Sequence, residues 1–290
     1  MPKFTYYISP LETPLSPAST VWAEPLSLAR PTSEKFAEIA VSHGQYFDTV
    51  RTFIEQDGGG MFCGVLAQDL QQTVLPGDIR NIQIHLEKHG EFYHPARVLA
   101  DLLGHKVSLV LNVAISDTGK KHIDGEFQNL KRLNTEFGES FLPRVYSLGK
   151  AATSSGLEFY MFLGEWFPDY HEFHISHQTS GNQDQLCVWD DRKGRYTLSR
   201  EQSLRLYRQA AMIMTCYYNV ATSEHITPWH HAAGDFIIRL NQNNIDLKLI
   251  TVRGYAPFFQ DLNDLTPETR SAEQTLQALL IFLLKLAIRM

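Results

Sequence analysis

The chain has 290 residues, 43% of them hydrophobic and 20% charged, with a formal net charge of −6. That length leaves room for two cores, and the composition excludes a disordered or fibrous chain. The acidic balance argues against general affinity for nucleic acid or anionic membrane, which both demand a basic surface.

Residues 1–31, rich in proline and serine, predict an extended arm without the apolar core of a signal peptide. A helix is expected from an N-cap at Thr32 or Ser33. Phe36, Ile39, Ala40, His43, Tyr46, Phe47, Val50, Phe53 and Ile54 recur at helical spacing and form one apolar stripe. Asp57-Gly58-Gly59-Gly60 ends it. Three glycines can cradle a phosphate, but no GxxxxGK[ST] pattern follows, and a helix exit is the simpler reading. Residues 1–75 are thus expected as an arm and an amphipathic helix.

After Pro76-Gly77-Asp78 the period changes to two: Ile82, Ile84 and Leu86 alternate with Gln83 and His85. A turn at His89-Gly90-Glu91, a strand or irregular segment through Val98 and Leu99, and a strand over Val107, Leu109, Leu111 and Val113 follow. A helix from about Ile123 carries Phe127, Leu130 and Leu133 on one face, and strands are expected after Pro143 and over Phe159–Leu163. Beyond residue 165 the chain is read as helical. Thr197-Leu198-Ser199 caps a helix through Asn219, with Leu204, Tyr207, Ala211, Met214 and Tyr218 pointing inward. Thr266-Pro267-Glu268 starts a last helix. Its apolar run, Ala278–Met290, is broken by Lys285 and shorter than the about 20 residues a bilayer span needs. It is expected to be buried, docking on a partner or on missing sequence. The three cysteines, Cys63, Cys187 and Cys216, show no CxxC pairing, so no disulfide framework or zinc knuckle is supported and a reducing, cytoplasmic setting is expected.

The stretch Trp229-His230-His231-Ala232-Ala233-Gly234-Asp235-Phe236-Ile237-Ile238, followed by Asp246-Leu247-Lys248-Leu249-Ile250-Thr251, reads as two short apolar strands with polar residues before the first and after the second. This layout resembles the catalytic and metal-binding segments of protein kinases and aminoglycoside phosphotransferases. Over residues 79–260 the order of elements is similar too. Residues 109–113, 125–133 and 141–149 resemble the third strand, C-helix and fourth strand of the small lobe, residues 165–168 the hinge, and residues 198–219 the long helix ahead of the catalytic loop. The resemblance implies an α+β, two-lobed kinase-like fold: a mostly antiparallel small lobe over 76–164, a helical large lobe over 165–290, and the N-terminal helical extension.

It also implies which positions carry the chemistry, and most have the wrong residue type. Glu126 matches the C-helix glutamate, but Asn112 stands where its lysine partner belongs. His230 stands at the proton-accepting aspartate, Asp235 at the loop asparagine, and Thr251 at the main metal-binding aspartate; no GxGxxG loop precedes the strand. Phosphoryl transfer depends on positioning and charge neutralisation, so losing the lysine and a magnesium ligand together predicts a degenerate, pseudokinase-like protein. ATP and Mg²⁺ are implied by the resemblance alone.

Each candidate has a plainer alternative. His230, His231 and Asp235 can be read as a metal site, or as a tight loop in which Asp235 caps the turn. Arg253 can grip an anionic ligand, or pair with Asp235 or Asp246; the pair with Asp235 would itself close the would-be metal site. Glu126 is a functional carboxylate or a surface residue of an amphipathic helix, paired with Arg144 or with nothing. His171, His174 and His177 read as a solvated loop. The expected function is a binding or scaffold protein engaging a protein partner or small-molecule ligand. The alternatives are a diverged phosphotransferase using Asp235, His230, Glu126 and Arg253, and a metal-dependent enzyme using His230 and Asp235.

Overall fold

The computed structural model describes residues 2–26, 41–87, 92–102, 104–177, 184–190, 193–230, 234–241, 244–257 and 271–290. The expected features at Thr32 and Ser33, Phe36, Ile39 and Ala40, His89-Gly90-Glu91, His231 and Thr266-Pro267-Glu268 lie outside these residues. The fold is α+β. The chain divides into two units, Met1–Phe127 with Val145–Trp166, and Gln128–Arg144 with Phe167–Met290.

The first unit contains β1 (Lys3–Ile8), α1 (Thr20–Ala23), α2 (His43–Ile54), α3 (Gly60–Leu70), β2 (Ile79–Leu86), β3 (Ala96–Leu102) and β4 (His105–Ala114). The first half of α4 (Asp117–Glu136), β5 (Val145–Ala152) and β6 (Glu158–Glu165) complete it. The six strands form one sheet in the order β1-β2-β3-β4-β6-β5. The β1–β2 pair is parallel and all the others are antiparallel. The alternation read at Ile82, Ile84 and Leu86 holds, with those side chains buried and Gln83 and His85 half-buried. The face bearing Ile84, Val98, Leu111 and Leu163 packs in one core with Phe47, Val50 and Phe53 of α2 and Phe62 and Leu66 of α3.

Three expectations for this region change. The arm is extended where Lys3–Ile8, aromatic and β-branched as strands favour, forms the edge of the sheet, but Thr20–Ala23 is helical. The helix of residues 43–54 does not run back through residue 42, because Ser42 accepts from the Gln45 N–H at 3.2 Å and the Gln45 side chain takes the Ser42 N–H at 3.0 Å. That reciprocal cap fixes the start, and Ser42 bridges to Pro25 in extended conformation. Finally, the glycines do not simply let the chain leave. Asp57, Gly58 and Gly59 all have positive φ (54°, 66° and 85°), which breaks α2, and α3 begins at once.

The second unit contains the rest of α4, β7 (His171–His177), β8 (Asp184–Asp190), β9 (Gly194–Thr197), α5 (Arg200–Cys216), β10 (Glu224–Ile226), β11 (Phe236–Asn241), β12 (Asn244–Leu249), β13 (Tyr255–Pro257) and α6 (Ala272–Arg289). It is not mainly helical. A five-stranded antiparallel sheet runs β12-β11-β7-β8-β9, and β10 pairs with β13. The histidines read as loop residues belong to β7: His171 lies 3.5 Å from the Asp190 carboxylate, and the His174 ring lies 4.1 Å from that of Trp189. Cross-strand partners decide this, and single-strand periodicity cannot reveal them.

The start of α5 is as expected, with Ser199 and Gln202 forming a reciprocal cap. Its buried row is rotated. Met214 and Tyr218 are buried as expected, but Leu206, Ala210, Ile213 and Tyr217 complete the inward row and Leu204 is 51% exposed. Both rows have helical spacing, so the pattern alone does not choose between them. A third reciprocal cap, Ser271 with Gln274, starts α6. Among the described residues no helix is long and apolar enough to cross a membrane.

Candidate functional site

In the second unit, the loop between β10 and β11 and the segment between β12 and β13 are tied together by backbone. The Thr227 N–H donates to Gly254 O at 2.9 Å, and the Ile250 N–H to Asp235 O at 2.8 Å. The first bond depends on Gly254: a Cβ there would sit 2.4 Å from Thr227 O. Gly234, with φ +81°, turns the chain into β11.

Asp235 sits at the centre of this junction with its side chain 1% exposed. Arg253 grips it in bidentate fashion, Nη2 to Oδ1 at 2.6 Å and Nη1 to Oδ2 at 2.9 Å. The backbone N–H of His230 adds a third bond to Oδ2 at 2.7 Å. Asp235 is thus both a turn cap and the acid of a buried ion pair. Asp246, the other acid considered for Arg253, receives Arg239 at 2.8 Å and the Tyr170 hydroxyl at 2.5 Å. A cation at Asp235 would have to displace a guanidinium from both oxygens.

His230 meets Asp235 through its backbone, and its side chain is exposed. Thr251 is half-buried, two residues before Arg253. Among the described residues no group of three or more His, Cys, Asp or Glu is placed to hold a metal. The loop is anchored at its other end by Arg289 of α6, which donates to Trp229 O at 2.9 Å. The second half of α4 contributes Asn129, whose amide donates to Val252 O at 3.2 Å.

Asn112 and Glu126 belong to the first unit. Glu126 is not a surface residue: it is 2% exposed and accepts the Tyr93 hydroxyl at 2.7 Å. The Tyr93 ring meets Phe162 edge-on at 6.4 Å, and Phe127, next to Glu126 on α4, meets the same ring at 5.8 Å. Asn112 stands directly opposite Phe162 in the β4–β6 register. Directly opposed residues share a sheet face, so Asn112, Phe162 and the Tyr93–Glu126 bond lie on the α4 side of the sheet. Tyr93 was missed by the sequence reading. It falls between an expected turn and an expected strand, where no periodicity marks a partner for α4.

The six predicted positions therefore fall into two groups. Asp235 and Arg253 are in direct contact, with the His230 backbone joined to them and Thr251 close by in the chain. Asn112 and Glu126 share one face of the first unit's sheet. The first group binds charge to charge; the second holds a carboxylate among aromatic rings. No family model matches the chain, and no curated protein matches it.

Proposed function

We propose that this chain is a pseudokinase-like binding or scaffold protein, a kinase-like fold that engages a protein partner or small-molecule ligand without ordinary phosphoryl transfer. The observation that carries the reading is the Arg253–Asp235 pair. At the position where the resemblance expects a magnesium-binding group, both carboxylate oxygens are held by a guanidinium. Thr251 replaces the main metal aspartate and Asn112 the phosphate-holding lysine. Each such electrostatic group contributes several kcal/mol to catalysis in a dry site, and their joint absence leaves ATP chemistry without its charge clamp.

Further support is the sequence of elements. Strand β4, helix α4 and strand β5 succeed one another as the resemblance requires, and α5 precedes β10, the β11–β12 pair and β13. A diverged phosphotransferase is favoured by one feature only: Glu126 keeps a buried carboxylate at the position of the C-helix glutamate, although burying such a group is costly. A metal-dependent enzyme would need His230 to swing toward Asp235 and Arg253 to leave it.

Thermal unfolding with ATP, ADP or GTP, each with and without Mg²⁺, tests these readings. A ligand at a hundredfold excess over its dissociation constant stabilises the native state by about 2.7 kcal/mol. The binding-protein reading expects no magnesium-dependent nucleotide shift. A shift requiring both ATP and Mg²⁺ would replace it with the phosphotransferase, and a shift with Zn²⁺ or Mn²⁺ alone with the metal enzyme.

A further inference from the structure

We infer that the first unit holds a binding site for a small organic amine, a primary ammonium on a short apolar body, in a cavity between β1, α1 and α2. This site does not depend on the kinase-like reading. The cavity has a volume of about 460 Å³, and its lining includes Phe4 and Tyr6 of β1, Leu15 of the following segment, Trp22 of α1, and Asp48 and Arg51 of α2. Pockets of this size enclose a small molecule whole.

Local structure fixes the walls. Phe4 and Tyr6 are two residues apart on a strand and so share a face. On that face the Tyr6 ring meets Phe47 at 5.1 Å and Trp22 edge-on at 5.2 Å. Trp22 in turn stacks on Phe47 at 5.8 Å. Gly44, in the first turn of α2, makes room for it, because a Cβ at that position would overlap the indole.

The two charges in the cavity select the ligand. Arg51 is already committed: its guanidinium bonds the Glu55 carboxylate at 3.1 and 3.2 Å, and it lies 4.9 Å over the Phe4 ring. Asp48 is not. The Thr52 hydroxyl takes its backbone carbonyl at 2.8 Å, but among the described residues its carboxylate has no hydrogen bond or ion pair; Arg51 acts on it through space. With Glu55 offsetting Arg51, Asp48 leaves the site net negative. An ionised carboxylate accepts hydrogen bonds and donates none, so its partner is a cation with N–H groups, and aromatic walls favour the same sign of charge. A quaternary ammonium has no N–H to give. An extended peptide is disfavoured at the same place, because the Leu15 N–H already takes Tyr6 O at 2.7 Å and occupies that part of the β1 edge. The occupant is therefore a free amine.

Calorimetric titration of the full chain at pH 7 and low salt tests this. n-Pentylammonium is expected to bind one site with a dissociation constant of about 0.1–1 mM. 1-Pentanol, pentanoate and tetramethylammonium should each bind at least about tenfold more weakly. Asp48→Asn, at an exposed position, should weaken n-pentylammonium about tenfold with an unchanged circular dichroism spectrum. Asp57→Asn, also exposed but outside the cavity, should leave the affinity as it is. No heat of binding up to about 5 mM, equal binding of the alcohol or the carboxylate, or indifference to Asp48→Asn would overturn the inference. So would a lysine peptide that binds at least about tenfold more tightly than the free amine, since the site would then belong to a partner's side chain.

Discussion

Replacing Arg253 by alanine strands the Asp235 carboxylate. Of the three bonds described to that group, two come from Arg253, leaving the His230 N–H. The asymmetry between the partners sets the magnitude. The Asp235 side chain is 1% exposed and cannot recover water, whereas Arg253 is 20% exposed and can partly do so. Breaking a buried pair from the side that abandons the more buried charge costs about 3–5 kcal/mol. Asp235→Asn keeps the shape, removes the charge and leaves a partly hydrated guanidinium, so about 1–2 kcal/mol is expected. The double variant should be less unstable than the sum, with a coupling of about 1–3 kcal/mol. Urea unfolding followed by tryptophan fluorescence suits the question, because Trp229 sits in the same loop with its ring 6.3 Å from that of Phe236. If Arg253→Ala costs less than about 1 kcal/mol, or if the two changes add within about 0.5 kcal/mol, the pair does not hold this junction together and the reasoning fails.

Two other outcomes are expected. His225 is held down to about 4 from the ordinary 6.5, first by burial and then by the positive charge of Lys285, against an opposing hydrogen bond with the Ser223 backbone. Its neutral form is the folded one, so the stability it contributes is complete above pH 6.5 and is lost as pH falls from 6.5 toward 4. His225→Gln should therefore flatten the fall in melting temperature between pH 7 and pH 4.5; an unchanged slope would assign the acid sensitivity elsewhere, with His85, also lowered to about 4 by burial, the next group to change. Gly254→Ala should cost about 1–3 kcal/mol, since the added methyl must push Thr227 O away from 2.4 Å. Gly64→Ala, with open space around its Cβ position inside α3, is the matched control. It should stabilise by about 0.5–1 kcal/mol, and equal effects at the two glycines would refute the close-approach argument.

Much of the first unit and of α4 was legible because the signals there are local. Alternation along β2 and β4, and the stripe Phe127, Leu130 and Leu133 on α4, correspond to buried faces in the structure. The edge strand β1 was not legible: six residues can be arm or strand, and only a neighbour more than seventy residues away decides. The strands β7 to β9 were missed for a related reason, as their histidines, aspartates and tryptophan are stabilised across the sheet rather than along the chain. At the candidate site, the Arg253–Asp235 bond was one of the two pairings that charge and spacing proposed. The burial of Glu126 was not foreseen, because it depends on Tyr93 arriving from a segment with no pattern of its own.

The parallel pairing of Lys3 with Asn81 also governs the order of events on the ribosome. Translation proceeds at about 5–20 residues per second, so roughly 4–16 seconds separate the emergence of the opening hexapeptide from that of its mate. Through that interval β1 lacks its sheet neighbour, while Leu15, Trp22 and Phe47 of α2, which Tyr6 meets in the structure, emerge in turn. Closing a loop of that length must wait for β2, so β1 takes its place in the sheet only after more than seventy later residues have been made.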